Sequence, residues 1–479
     1  MSKNFYITTT LPYVNADPHI GFAMEIIRAD VIARAKKLQG NDVFFNTGTD
    51  EHGQKLFIGA EKAGLTPQAF VDMYAEKFRQ LLPLLQISDD IHFIRTTDEH
   101  HVVSAQHFWK LCRDNGYIYK KAYSIKYCVG CELEKTDSEL VDGKCPLHPQ
   151  LEIELIDEEN YFFKFSAFQK SLLDLYHSRP DFVVPDFRQN EIKAFVERGL
   201  EDFSISRLAS KMPWGIPVPD DSTQVMYVWF DALVNYISTI GWPDNVDQFK
   251  KYWEEGTPVQ YCGKDNLRQQ TAMWQAMLMA AGLPTTHTVV VNGVFTGEGG
   301  VKMSKSLGNV VSPFDVVERY GTDALRYYVC AEVSLFEDSP ASIELIGSAY
   351  NAKLANGLGN LVSRIMKMAQ DNLDGPVTIE DNTIPVEYFN YLNQFEISRA
   401  VHLIWSEISR LDTSIQDTKP FKVVKENKEE GQKIITELVV RLYTIARMLN
   451  PILPETSTAI KNLIKQNKAP ESPLFVRKD

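Results

Sequence analysis

No stretch of this chain stays apolar for the roughly 18–20 residues that crossing a bilayer demands. The opening residues, Met1 to Thr8, also lack the apolar h-region of a secretory leader. A soluble, cytoplasmic protein with no membrane partner is the expectation. Cysteine is scarce, with six in 479 residues. Cys128, Cys131 and Cys145 crowd into one short stretch while Cys112, Cys262 and Cys330 are scattered, which excludes a disulfide framework. Internal repeats are absent. Positive charge is in deficit: 50 Lys and Arg face 63 Asp and Glu, a formal −13, which argues against a general polyanion binder. The deficit is uneven, because residues 346–479 hold 17 basic and 16 acidic side chains and so are about neutral. What is there is ordinary globular material, 44% apolar and 24% charged. At about 150 residues per domain, this length leads us to expect two to four domains.

The chain opens with a β-branched and aromatic run, Phe5 to Thr10, that reads as a strand. A loop broken by Pro12 and Pro18 follows, then a helix from Ile20 to Gln39 that Gly40 ends, then a strand from Val43 to Gly48. Another helix is expected from about Pro67 to Leu85. Strand, helix, strand is the βαβ opening of a parallel sheet. Residues 120–158 break the pattern and read as a short, turn-rich insertion. Sheet signals resume at Gln224–Phe230, Val259–Gly263 and Thr286–Asn292, with a helix over Arg268–Ala281 between the last two. After about Ile346 only helices are expected: Ser348–Met368, Val386–Asp412 and Gly431–Met448. The architecture is a split α/β domain with an inserted knuckle, then an α-helical C-terminal domain.

Cys128 and Cys131, two residues apart, are followed by Cys145 and His148, again two apart. Each pair can bite one tetrahedral Zn²⁺ from a tight turn, and Gly130 supplies the backbone freedom. Four ligands close the coordination sphere, so the site is read as one structural zinc; buried thiols beside an exposed His148, or iron, are the alternatives. Two further elements suit phosphate. His19, Ile20 and Gly21 stand where a loop enters a helix, whose N-terminal amides and dipole favour anions. Far downstream, Gly297 to Asn309 holds several glycines around Lys302, Met303, Ser304, Lys305 and Ser306. A mobile loop with paired ammonium groups can close over a triphosphate and stabilise charge on departing pyrophosphate. Alone, it is equally an exposed basic hairpin.

Together, His19-Ile-Gly21 and Lys302-Met-Ser-Lys-Ser306 resemble the paired signatures of the class I aminoacyl-tRNA synthetases. Within that class the likeness is to the methionyl-tRNA synthetases and runs over nearly the whole chain: Thr9 to Asn15, Gly48 to Gly53, the four-ligand knuckle, Ser204 to Arg207, Tyr227 to Ala232 and Gly263 to Asp265 follow in the family's order. The resemblance implies a Rossmann-like parallel-sheet catalytic domain (1–118 and 224–300), a connective insertion (119–223) with its zinc knuckle at about 127–148, a stem-contact region with the lysine loop (301–345), and an all-α helical-bundle anticodon-binding domain (346–479). It implies activation of L-methionine by ATP with Mg²⁺, then transfer to tRNA(Met) for initiation and elongation.

His19, Lys302 and Lys305 are the implied catalytic residues, with Gly21, Phe22 and Ser304 completing the ATP site; Phe22 stands where the family carries a second histidine. A thioether has no charge, so its selection rests on shape and on sulfur–aromatic contacts worth about 0.3–1.5 kcal/mol each. By resemblance the methionine site comprises Leu11, Tyr13, Asp50 for the ammonium, Arg207 near the carboxylate, Trp229, Tyr236 and Gln270, the last where many relatives differ. Asn360 and Arg364, one helical turn apart, would read the anticodon, and Phe421 occupies the place of a stacking tryptophan. Nothing resembles the dimer-forming module that some members append, so a monomer is expected. Two other readings remain: a zinc-containing RNA-binding paralogue without catalysis, and a sibling synthetase for another amino acid.

Overall fold

The computed structural model describes residues 3–131, 133–135, 139–297, 311–380 and 383–478. The chain divides into two compact units: residues 1–17, 42–80 and 90–291 form the first, and residues 18–41, 81–89 and 292–479 the second.

The first unit is built on a parallel sheet. Strand β1 (Asn4–Thr8) pairs on one side with β2 (Asp42–Thr49), which pairs with β3 (His92–Arg95); on its other side lies Thr257–Gly263, then Thr288–Asn292, then the short Val183–Val184. Tyr6 sits opposite Phe44 and Pro258, so the register is continuous across the middle. Nearly every residue of the central strands is buried, as expected where both faces of a parallel sheet are covered. Strand order reverses at the junction of β1 and Thr257–Gly263, and the carboxyl ends of those two strands frame a crevice there.

Four segments of this unit depart from the sequence reading. The insertion is not short and turn-rich at its base: β4 (Ile118–Cys128) and Glu154–Phe163 form a long antiparallel ribbon, in register from Ile118–Phe163 to Tyr127–Glu154, that carries the knuckle at its tip. The strand expected over Gln224–Phe230 stops at Met226, and Val228–Ala232 turns into a helix. Val228, Phe230 and Asp231 are buried and Trp229 partly so. Val228 and Phe230 point to opposite sides of the turn, so an apolar run that looked like a buried strand is a helical turn buried on more than one side. Helix α3 (Pro67–Leu84) is as expected, whereas α2 (Gln54–Ala63) and α4 (Glu99–Asp114) were not anticipated.

The second unit contains α1 (Ile20–Leu38), as expected, and the C-terminal helices. The run expected from Val386 to Asp412 is two helices, Val386–Asn393 and Ile397–Thr418, because Phe395 adopts a left-handed backbone (φ 61°). The helix expected from Ser348 is widened over Tyr350–Gly359 and regular only from Asn360 to Asn372. At the centre of the unit Asp30 is fully buried and saturated: Ser88 donates from N and Oγ to Oδ1, while Arg34 and Arg326 each donate to Oδ2 at 2.8 Å. Burial alone would raise the Asp30 carboxyl; the two guanidinium groups outweigh it and hold it below its ordinary value. Arg326, also fully buried, donates further to the carbonyls of Leu85, Gln86, Pro451 and Ile452. A second buried arginine, Arg28, donates to Asn292 Oδ1 and to the carbonyls of Val329, Ser334 and Leu335. No helix among the described residues is long and apolar enough to cross a membrane.

Candidate functional site

At the reversal point of the sheet lies a cavity of about 70 Å³, lined by Thr10, Leu11, Asp50, Trp229, Ala232, Leu233, Asn235, Tyr236, Asn266, Gln269 and Gln270. Pockets that take a whole drug-sized ligand run to roughly 300–1,000 Å³, so this one suits a single side chain and not a nucleotide. Its walls come from the loops after β1, β2 and Thr257–Gly263 and from the two short helices Val228–Ala232 and Asn235–Ser238. Backbone bonds from Asp50 N to Pro12 O (3.0 Å) and from Val14 N to Asp50 O (3.3 Å) zip the first loop to the end of β2. Tyr13 and Asp50 are thereby neighbours, and Asp50 is only 8% exposed.

The phenol of Tyr236 is 2% exposed and held by a chain of amides: Thr286 Oγ1 donates to Gln260, Gln260 Nε2 to Gln270 Oε1 (3.1 Å), and Gln270 Nε2 to the Tyr236 hydroxyl (2.6 Å). The phenol oxygen is the acceptor in that last bond, so Gln270 orients the ring. Gln260 was missed in the sequence, although a glutamine inside the buried strand Val259–Cys262 is the signal that could have found it. Behind the cavity, His52 Nδ1 pairs with Asp231 Oδ2 at 3.1 Å. Burial alone would raise the Asp231 carboxyl, but His52 and His101 hold it below its ordinary value.

The cavity thus gathers Leu11, Asp50, Trp229, Tyr236 and Gln270, with Tyr13 tied to Asp50. Arg207 is not among the lining residues. It is buried, donates to Ser204 Oγ and Ser206 O at 2.7 Å, and stacks on the ring of Tyr227 at 4.6 Å, two residues from Trp229.

In the second unit, His19 caps α1 with extended backbone, and its Nδ1 accepts from Gly21 N at 3.1 Å. A Cβ on Gly21 would lie 2.9 Å from the His19 ring, so the folded-back imidazole needs glycine there. α1 has no acid in its first turn and Lys36 and Lys37 in its last, so the charge pattern along it does not repel an anion at its start, although the first amides already bond to His19 and Val311. Phe22 is buried, as ring packing requires. Lys302, Ser304 and Lys305 lie outside the described residues, but Val311, just beyond them, accepts from Ile20 N at 3.1 Å, so the downstream flank of the lysine loop adjoins the start of α1. Asn360 is exposed at the start of its regular helix; Arg364, one turn on, is ion-paired with Asp412, and Phe421 is 46% exposed.

The ligand atoms of Cys128, Cys131, Cys145 and His148 all lie within 4.8 Å of one another and can hold a metal ion. Cys131 Sγ is 3.4 Å from Cys145 Sγ and 3.2 Å from His148 Nδ1, while Nδ1 is 3.9 and 4.0 Å from the other two sulfurs. Tetrahedral bonds of about 2.0–2.3 Å require edges of roughly 3.4–3.8 Å, so the donors fit. Gly130 is required here too: a Cβ would stand 2.5 Å from the His148 ring.

A reversing parallel sheet with a side-chain-sized cavity at its crevice and a four-donor knuckle that can hold a metal ion define an open α/β protein with a small-molecule site at the strand reversal. The family described as tRNA synthetases class I (M) matches residues 5–152 and 148–366, and the chain belongs to it. It is 39% identical to the methionine–tRNA ligase of Thermotoga maritima over 97% of this chain and 76% of that protein, and 41% identical to that of Thermosynechococcus vestitus over 96% and 90%. Among solved structures, Mycobacterium tuberculosis methionyl-tRNA synthetase in complex with methionyl-adenylate superposes with a TM-score of 0.91 at 34% identity, covering all of both chains.

Proposed function

We propose that this chain is an ATP-dependent methionine–tRNA ligase that forms methionyl-adenylate and pyrophosphate and transfers the methionyl group to the 3′ end of tRNA(Met). The observation that carries the reading is one small cavity presenting a carboxylate, an indole and a phenol at the sheet's reversal point, in a chain of this family. Asp50 receives the α-ammonium; Leu11, Tyr13 and Trp229 pack the aliphatic chain; Tyr236, aimed by Gln270, donates to the thioether sulfur. Arg207 acts through Tyr227 and the adjoining Trp229 wall.

ATP enters with its Mg²⁺ and lays its phosphates at the α1 N-terminus. His19 donates to a phosphate oxygen there, Gly21 lets the nucleotide approach closely, and Phe22 packs beneath it. Lys302 and Lys305, with Ser304, take up charge on the leaving pyrophosphate as the methionine carboxylate attacks the α-phosphorus; such transfers leave the protein chiefly positioning and electrostatics to supply. The bond from the α-phosphorus to the bridging oxygen breaks as the acyl-phosphate bond forms. A terminal ribose hydroxyl of the tRNA then displaces AMP. Cys128, Cys131, Cys145 and His148 would hold one zinc ion, whose bonds would tie the tip of the insertion together. Asn360, Arg364 and Phe421 read the anticodon. The protein works as a cytoplasmic monomer.

A sibling synthetase and an inactive RNA-binding paralogue are not favoured, since the relatives aligned over nearly the whole chain are methionine–tRNA ligases. Methionine-dependent ATP–pyrophosphate exchange and charging of tRNA(Met) are the expected activities. Exchange stimulated by a different amino acid, or no exchange, would overturn the assignment.

A further inference from the structure

Behind the amino-acid cavity lies a polar cluster that the mechanism above does not use. Asp231 Oδ2 pairs with His52 Nδ1 at 3.1 Å, Asp231 Oδ1 faces His101 Nε2 at 3.9 Å, and His101 Nδ1 bonds Ser238 Oγ at 2.9 Å. Asp231, His101 and Ser238 have no solvent exposure and His52 has 6%. Three of the four members stand two residues beyond a cavity wall: His52 beyond Asp50, Asp231 beyond Trp229, and Ser238 beyond Tyr236. In the helical turns Val228–Ala232 and Asn235–Ser238, two positions amount to about 200° of rotation. A side chain lining the cavity therefore sends its i+2 neighbour to the opposite side. The fourth member, His101 on α4, bridges Asp231 and Ser238 from behind.

The cluster is also unsaturated. A separation of 3.9 Å exceeds a hydrogen bond, and neither His101 Nε2 nor Asp231 Oδ1 has a hydrogen-bond partner among the described residues. Leaving such groups unpaired in the interior forfeits their hydration without replacing it. If Ser238 donates its hydroxyl proton to His101 Nδ1, Nε2 carries the proton facing the carboxylate, and closing the gap to about 2.9 Å completes the bond. That closure needs an approach of about 1 Å between His101 and Asp231, which a shift of the short helix bearing Trp229 can supply.

We propose that His52, Asp231, His101 and Ser238 form a positioning cluster that sets the spacing of the Asp50, Trp229 and Tyr236 walls and thereby the side-chain length that the cavity accepts. The inference rests on the reading of the cavity as an amino-acid site. An occupant that lets the carboxylate–imidazole bond close gains it; a side chain one methylene longer holds the walls apart and forgoes it. None of the four touches substrate, so each acts through the wall residue or helix beside it.

The test is ATP–pyrophosphate exchange with methionine and with ethionine, one methylene longer, for the wild type, His101→Leu, His101→Gln and Ser238→Ala, alongside thermal melting. In His101→Leu the KM for methionine should rise at least 10-fold with kcat within 3-fold and the KM for ATP within 2-fold, and methionine-over-ethionine preference should fall at least 5-fold. His101→Gln, which retains a donor, should recover most of both changes. Ser238→Ala should move the same two quantities by about 3-fold, and it serves in place of His101→Leu if that chain does not fold. Unchanged preference in a folded variant, or methionine and ATP constants rising together in step with a lowered melting midpoint, would overturn the positioning role. A wild type without methionine-dependent exchange would instead sink the reading of the cavity, and this inference with it.

Discussion

Two polar interiors in this molecule are built to opposite rules. In the second unit, all five N–H groups of Arg326 have acceptors, and both oxygens of Asp30 are doubly bonded. In the first unit, the chain from Thr286 through Gln260 and Gln270 ends at the Tyr236 phenol on a cavity wall, and Asp231 behind it keeps one oxygen 3.9 Å from His101 Nε2. A saturated network has no bonding capacity left for a ligand and so serves as scaffold. A network that ends at a cavity wall can finish its bonding on a ligand, so the difference separates stability from recognition.

The strongest way to break that contrast is to open the saturated network. Asp30→Ala leaves the fully buried Arg326 without a counter-charge, though its carbonyl acceptors remain, and should destabilise the protein by about 3 kcal/mol in urea denaturation. The methionine KM of the folded fraction should not move. Because Asp30 is held below its ordinary pKa, its contribution is full above about pH 4 and fades as pH falls through the depressed value. The variant should accordingly lose less stability on acidification than the wild type does. A large change in methionine KM would show that the scaffold is not separate from the site.

Asp50→Asn sharpens the other side. Removing one partner of a buried charge pair costs about 2–5 kcal/mol, or roughly 30- to 4,000-fold at 1.4 kcal/mol per decade, and we expect it in the KM for methionine with little change in melting. A variant that melts early but binds methionine normally would reassign Asp50 to the scaffold.

How far this contrast was legible beforehand depends on chain separation. The knuckle could be read because its four donors lie within 21 residues and at paired spacing. The opening strand, α1 and the second strand were legible from local residue choice, and the ends of α1 from Gly40 and its lysines. The cavity draws on positions from Thr10 to Gln270, and no local pattern joins them; only resemblance to a family brought Leu11, Asp50, Trp229, Tyr236 and Gln270 together in advance. The His52–Asp231 pair escaped notice because the two lie 179 positions apart. The strand that ends at Met226 was misread for another reason: buried apolar residues on one helical turn and in a strand look alike over five residues.

Phe421 belongs to neither network. Its ring is 46% exposed, so Phe421→Ala should leave melting and pyrophosphate exchange unchanged while raising the KM for tRNA(Met). Base stacking of about 1–3 kcal/mol corresponds to roughly 5- to 150-fold. Weakened exchange in this variant would mean that the ring supports the fold instead of a base.

Tyr236→Phe makes the finest cut, because it removes a single oxygen from the end of the amide chain. The ring still fills the wall, so packing and sulfur–aromatic contact survive. Two bonds go: the one accepted from Gln270 Nε2 at 2.6 Å and the proposed donation to the thioether. A net hydrogen bond contributes about 0.5–1.5 kcal/mol, so a methionine KM raised by about 2- to 12-fold is expected. Norleucine, which carries a methylene in place of sulfur, separates the two bonds. If the phenol donates to sulfur, the variant should lose preference for methionine over norleucine. If the phenol only completes the Gln270 chain, both substrates should weaken equally, and the network would end in scaffold after all.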